Sequence, residues 1–112
     1  MAKTATDPGY AACPIRNIVD RFGDKWSLLV LYNLHTGGRL RFSEIHRRMT
    51  DISQKMLAST LRRLEQDGLL SRTVYPEVPP RVEYTLTDLG RSLKPILDAM
   101  WVWGEEYKAS MQ

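Results

Sequence analysis

A single cysteine, two histidines and no apolar run long enough to span a bilayer are the shortages that narrow this 112-residue sequence. One thiol, Cys13, cannot close a disulfide within its own chain. That excludes the disulfide-stapled secreted scaffolds and suits a reducing compartment. His35 and His46 have no cysteine or carboxylate at metal-ligand spacing, so no metal site is expected. No glycine-rich loop precedes a helix to cradle phosphates, and no catalytic constellation appears. The chain reads as a non-enzyme without a cofactor. Its apolar stretches fall short of the roughly 18–20 residues a membrane span needs, and residues 1–14 lack the apolar core of a secretory signal. A cytoplasmic protein with no membrane partner is the expectation.

What is present is ordinary globular composition, 43% hydrophobic and 26% charged, of a length that makes one domain. Net charge is +3, but it is unevenly spread. Between residues 39 and 81 nine cations (Arg39, Arg41, Arg47, Arg48, Lys55, Arg62, Arg63, Arg72, Arg81) face five acids (Glu44, Asp51, Glu65, Asp67, Glu77), and the remainder of the chain is slightly acidic. A basic excess confined to the middle third is the footprint of a polyanion-binding surface.

At the centre of that excess, residues 53–68 form a helix with two separated faces. Leu57, Leu61 and Leu64 recur at helical period, Ser53 suits the N-cap and Gly68 suits the position past the C-terminus. Lys55, Ser59 and Arg62 point away from the leucines, flanked by Gln54, Arg63 and Gln66, with no carboxylate among them. Alone, such a face is more often plain solvated surface than a nucleic-acid reader. Its neighbours change that balance.

Residues 1–12 are small and polar and read as a flexible arm preceding a domain over residues 13–108. Pro14 opens a helix with an apolar stripe of Ile15, Ile18, Val19 and Phe22, closed by Gly23. Asp24 caps a second helix, apolar almost all round and therefore placed in the core, with Trp26 at its start as a core residue. After an extended link over 39–42, Ser43 is expected to cap a short third helix, and a turn at 50–52 leads into the basic-faced helix. Short helix, tight turn and longer helix make a helix-turn-helix. Two strands, over 69–75 and 81–86, flank the proline-rich loop 76–80 and form a wing. Thr87 caps a final helix that Pro95 kinks or divides.

Several motifs in this order resemble the HxlR family of bacterial winged-helix regulators, relatives of the MarR group. They are Cys13-Pro14, Gly23-Asp24-Lys25-Trp26, residues 40–45 (LRFSEI), residues 52–57 (ISQKML), residues 61–69 (LRRLEQDGL) and residues 79–87 (PPRVEYTLT). The resemblance covers nearly the whole chain. It implies a mainly α fold with a small β-hairpin, a winged helix-turn-helix that dimerises through its N- and C-terminal helices. It implies a sequence-specific transcriptional repressor that binds double-stranded DNA at an inverted-repeat operator as a homodimer.

In such a protein Gln54, Lys55, Ser59, Arg62 and Arg63 are the candidates for the major groove, with Arg62 and Arg63 read as phosphate contacts. Arg81, stiffened by the prolines before it, is placed for the adjacent minor groove. Arg41, Ser43 and Arg72 are further phosphate candidates. Some family members sense oxidants or electrophiles through a cysteine at the position of Cys13. The other reading of Cys13 is a small hydrophobe that docks the first helix. Trp101 and Trp103, with Met100, Leu97 and Tyr107, are assigned to the dimer interface, because one small domain cannot easily bury that much aromatic surface. The same aromatics would suit a small-ligand effector pocket. The alternative from another class is a winged-helix protein–protein assembly module without operator binding.

Overall fold

The computed structural model describes residues 13–111. The arm expected over residues 1–12 lies outside the described residues. The elements are α1 (Pro14–Phe22), α2 (Lys25–Gly37), β1 (Leu40–Arg41), α3 (Phe42–Arg48), α4 (Gln54–Gln66), β2 (Leu70–Tyr75), β3 (Arg81–Leu86), α5 (Asp88–Arg91) and α6 (Lys94–Ser110).

The helix ends follow from local side-chain chemistry. Asp24 accepts from the Ser27 amide at 3.1 Å and starts α2, and Ser53 accepts from the Met56 amide at 3.0 Å and starts α4. Gly68 ends α4 at φ +80°, with its amide bonded to the Glu65 carbonyl and the Leu69 amide to the Leu64 carbonyl. That pair of bonds is the Schellman arrangement, and it needs the left-handed residue that glycine supplies. α3 starts two residues earlier than expected. Its cap is Arg41 and not Ser43, because Glu44 reaches back to the Arg41 amide at 2.8 Å. Proline 95 divides the last helical stretch: α5 is a single turn capped by Thr87, and α6 begins afresh with Pro95 in its first turn and continues to Ser110.

The sheet is antiparallel in the order β1-β3-β2, with Leu40 opposite Tyr84 and Tyr75 opposite Arg81. β1 is only two residues long, yet it ties the helix-turn-helix to the wing. The core gathers Val30, Leu31 and Leu34 of α2, Ile45 of α3, Leu57, Leu61 and Leu64 of α4, and Leu70, Tyr84 and Leu86 of the sheet. Trp26 packs against this cluster while half-buried.

Two surfaces stay open, and the second of them departs from the expectation that α2 lies in the core. No residue of α1 is buried, and Ile15 is 72% exposed with Ile18 and Val19 also open. α2 is covered on one side only, since Leu29 is exposed and Tyr32 lies half-open beneath Trp101, ring stacked on ring at 5.4 Å.

Candidate nucleic-acid interface

α4 presents its predicted outer face. Leu57, Leu61 and Leu64 point into the core, whereas Gln54, Lys55, Ser59, Arg62 and Gln66 are exposed. Thr60 shares the inner face and satisfies its hydroxyl by donating to the Met56 carbonyl at 2.8 Å. Ser53 takes up the Met56 amide, and the positive end of the α4 dipole lies beside the exposed Lys55, a combination that attracts phosphate.

Arg72 stands on the sheet face that looks toward α4. It lines a groove of about 320 Å³ with Arg62, Glu65, Ala58, Phe42 and Tyr84. The two arginines therefore converge on one groove between helix and wing. Arg41 and Ser43 are exposed at the β1–α3 junction. Arg47 and Arg48, in the last turn of α3, are exposed cations that the sequence reading counted but did not single out.

Arg63 has a different role from the one expected of it. Its guanidinium pairs with Asp24 at 3.0 Å and donates to Ser27 Oγ, a hydroxyl on a fully buried residue. Burial alone would raise the Asp24 carboxyl. Hydrogen bonds from Ser27 and the Arg63 charge outweigh it and hold Asp24 below its ordinary value. Arg63 thus ties α4 to the start of α2. Arg63→Ala is expected to cost about 1–3 kcal/mol, because it leaves the buried Ser27 hydroxyl without its partner. Thermal melts should report that loss. Unchanged stability with strongly reduced DNA binding would return Arg63 to the reading face.

Arg81 is held at the base of the wing loop. Its guanidinium lies 4.0 Å over the Tyr75 ring and pairs with Glu77 at 3.2 Å and Glu83 at 3.6 Å. Arg39, absent from the predicted set, donates to both Glu83 and the Tyr75 hydroxyl at 3.2 Å.

Cys13 caps α1, its half-buried Sγ accepting from the Arg16 amide at 3.4 Å. On α6, Met100, Trp101, Trp103 and Tyr107 are exposed, with Trp103 stacked on Tyr107 at 5.2 Å. Leu97 is the correction within that group. At 4% exposure it belongs to the chain's own core and has little surface left for a second copy. His35 is expected to have no partner at metal-ligand spacing, and its neighbour is a single carboxylate. It meets Asp98 Oδ1 at 2.8 Å, joining α2 to α6 across 63 residues of sequence. Hydrogen bonds from Lys94 and then His35 hold the exposed Asp98 carboxyl below its ordinary value. Any support from this contact is present above that range and fades as pH falls through it.

Known proteins match both the sequence and this architecture. The HxlR-like helix-turn-helix family profile covers residues 21–112. An uncharacterised HTH-type transcriptional regulator of Methanothermobacter thermautotrophicus is 56% identical, over 93% of this chain and 88% of its own length. The reduced form of the redox regulator HypR superposes with a TM-score of 0.82 at 41% identity, covering 88% of this chain and 97% of HypR. The reduced transcriptional regulator YodB from Bacillus subtilis gives 0.72 at 38% identity, covering 85% and 93%. These likenesses coincide with the helix-turn-helix and wing that the geometry builds around α4, and the chain belongs to the HxlR-like family of DNA-binding transcriptional regulators.

Proposed function

We infer that the protein acts as a homodimeric repressor, each protomer laying α4 into the major groove of one half of an inverted-repeat operator. The observation that carries this reading is the distribution of unpaired cations. Arg21, Lys25, Arg39, Arg63, Arg81, Arg91 and Lys94 each have a carboxylate partner. Arg41, Arg47, Arg48, Lys55, Arg62, Arg72 and Lys108 have none among the described residues, and all of these but Lys108, at the end of α6, lie on the helix-turn-helix or the adjoining strands. Uncompensated charge concentrated around a groove-sized helix suits a polyanion. Gln54, Lys55 and Ser59 supply the donors and acceptors that base edges require. Action by binding rather than catalysis, in the cytoplasm where the operator lies, belongs to the same reading.

The exposed stripe of α1 and the aromatics Trp101, Trp103 and Tyr107 of α6 support a dimer, since a second copy would cover both. Similarity to the redox regulator HypR and to YodB supports an oxidant as the signal and Cys13 as its receiver. With one cysteine per chain, an oxidised link would have to join Cys13 to another molecule.

The test is binding to the duplex that flanks the protein's own gene, at about 50 and 200 mM salt, with sedimentation of the same sample. A dimer making on the order of six to ten phosphate contacts should lose about 10³- to 10⁵-fold in affinity across that range. Diamide should release the wild type and leave Cys13→Ser bound. A monomer at micromolar concentration, or no binding to any duplex at low salt, overturns the reading. Release of Cys13→Ser by diamide removes the thiol from it.

A further inference from the structure

The geometry points to Glu83 as a positioning residue that holds Arg39 and Arg81 together as a two-arginine clamp on the DNA backbone, which makes Arg39 a DNA contact. This rests on the reading that α4 and the wing engage duplex DNA. Glu83 sits on β3 with its side chain 13% exposed, and it uses a different oxygen for each arginine. Oε1 accepts from Arg39 Nη1 at 3.2 Å, and Oε2 lies 3.6 Å from Arg81 Nε. Tyr75 fixes the same two groups from the end of β2. Its hydroxyl accepts from Arg39 at 3.2 Å, and its ring lies beneath the Arg81 guanidinium. Register explains the arrangement: Tyr75 stands directly opposite Arg81, so ring and guanidinium are cross-strand neighbours.

The two guanidiniums share the largely buried Glu83, and their second countercharge, Glu77, stands on the exposed wing loop, so the pair gains an excess positive charge only when Glu77 moves away. Their free N–H groups remain accessible, since the Arg39 side chain is 56% exposed and that of Arg81 is 30% exposed. The remaining anion is Glu77, 3.2 Å from Arg81 Nη2 on the wing loop and half-exposed. An exposed pair of this kind contributes little, so a phosphate oxygen displaces Glu77 cheaply and takes the place its carboxylate occupies. A guanidinium already fixed by hydrogen bonds, as Arg39 is, or by ring packing and ion pairs, as Arg81 is, loses less freedom on meeting phosphate than a loose one. Glu83 therefore supplies order to the clamp at the cost of one negative charge.

That cost gives the test its sign. Glu83→Gln removes a negative charge from a protein that binds a polyanion, so charge alone predicts tighter binding. Positioning predicts the reverse. In the full-length protein, Glu83→Gln should bind duplex DNA several-fold more weakly, with a shallower slope of log affinity against log salt. Binding equal to or tighter than wild type overturns the proposal. Should Glu83→Gln melt early, Arg39→Ala decides, because that side chain is 56% exposed and Glu83 keeps Arg81 as a partner when it is lost. It should weaken operator and unrelated duplexes alike and reduce the salt slope by about 1 per protomer. An unchanged slope overturns the clamp alone. Wild-type protein without salt-sensitive binding would overturn the DNA reading itself.

Discussion

Lys55→Ala should weaken binding to the operator by about 1–3 kcal/mol, roughly 5- to 150-fold. The side chain is exposed in the first turn of α4, has no carboxylate partner, and stands at the positive end of the helix that Ser53 caps. Nothing in the folded chain depends on it, so thermal stability should stay within about 0.5 kcal/mol of wild type. Arg62 lies seven residues along the same face, about 10 Å away at helical rise. It shares its groove with Arg72 and has no contact with Lys55 in the structure. The Arg62→Ala effect should therefore add to that of Lys55→Ala. The two differ in kind. A base-reading lysine costs more on the operator than on random duplex, whereas a phosphate contact costs the same on both and flattens the salt dependence. Equal losses on operator and random DNA for Lys55→Ala would make it a backbone contact. No loss on either would take α4 out of the groove.

The parts of this interface that were legible in the sequence are those set by neighbours a few residues away. Ser53, Asp24 and Gly68 act through bonds to amides and carbonyls three to five positions distant, and the leucine stripe of α4 fixes which face remains outside. Arg63 shows where that logic stops. Helical period puts it on the flank of α4, but its partners Asp24 and Ser27 precede it by 39 and 36 residues. The same holds for Arg39 with Glu83 and His35 with Asp98, pairs that chain topology creates and no local pattern announces. Ser43 failed as a cap for a local reason, since Glu44 satisfies the Arg41 amide and starts the helix earlier. Amphipathicity located the apolar stripes of α1 and α6 correctly. It tells what a helix would gain by burial, not whether its own chain supplies the cover, and here the chain covers Leu97 and leaves Trp103 open.

Gly90→Ala should destabilise the protein by about 3 kcal/mol, at the upper end of what overpacking costs. A fall in melting temperature of roughly 4–8 °C per kcal/mol is the measure. A methyl group at this position would sit 2.1 Å from the Leu69 carbonyl oxygen, with the Leu86 side chain 3.2 Å away. The obstacle is backbone, and it is pinned. The Leu69 carbonyl accepts from the Thr87 amide at 3.1 Å, and the Thr87 hydroxyl donates to the Gly68 carbonyl at 2.6 Å. The α5 turn therefore cannot withdraw without breaking the bonds that fasten it to the end of α4. Gly68→Ala is the contrast, because open space surrounds that position and only its φ of +80° resists a side chain. Its cost should be about 1 kcal/mol, so the ranking of the two variants separates steric from conformational need. A Gly90→Ala protein as stable as wild type would mean that α5 does not rest on Leu69 as described. The position also bears on function. α5 links the wing to α6 and packs where α4 ends, so it sets how the surface left open on α6 is oriented relative to the reading helix. If two copies join through α6, a shifted α5 changes the separation of the two α4 helices, and operator affinity should fall further than random-duplex affinity.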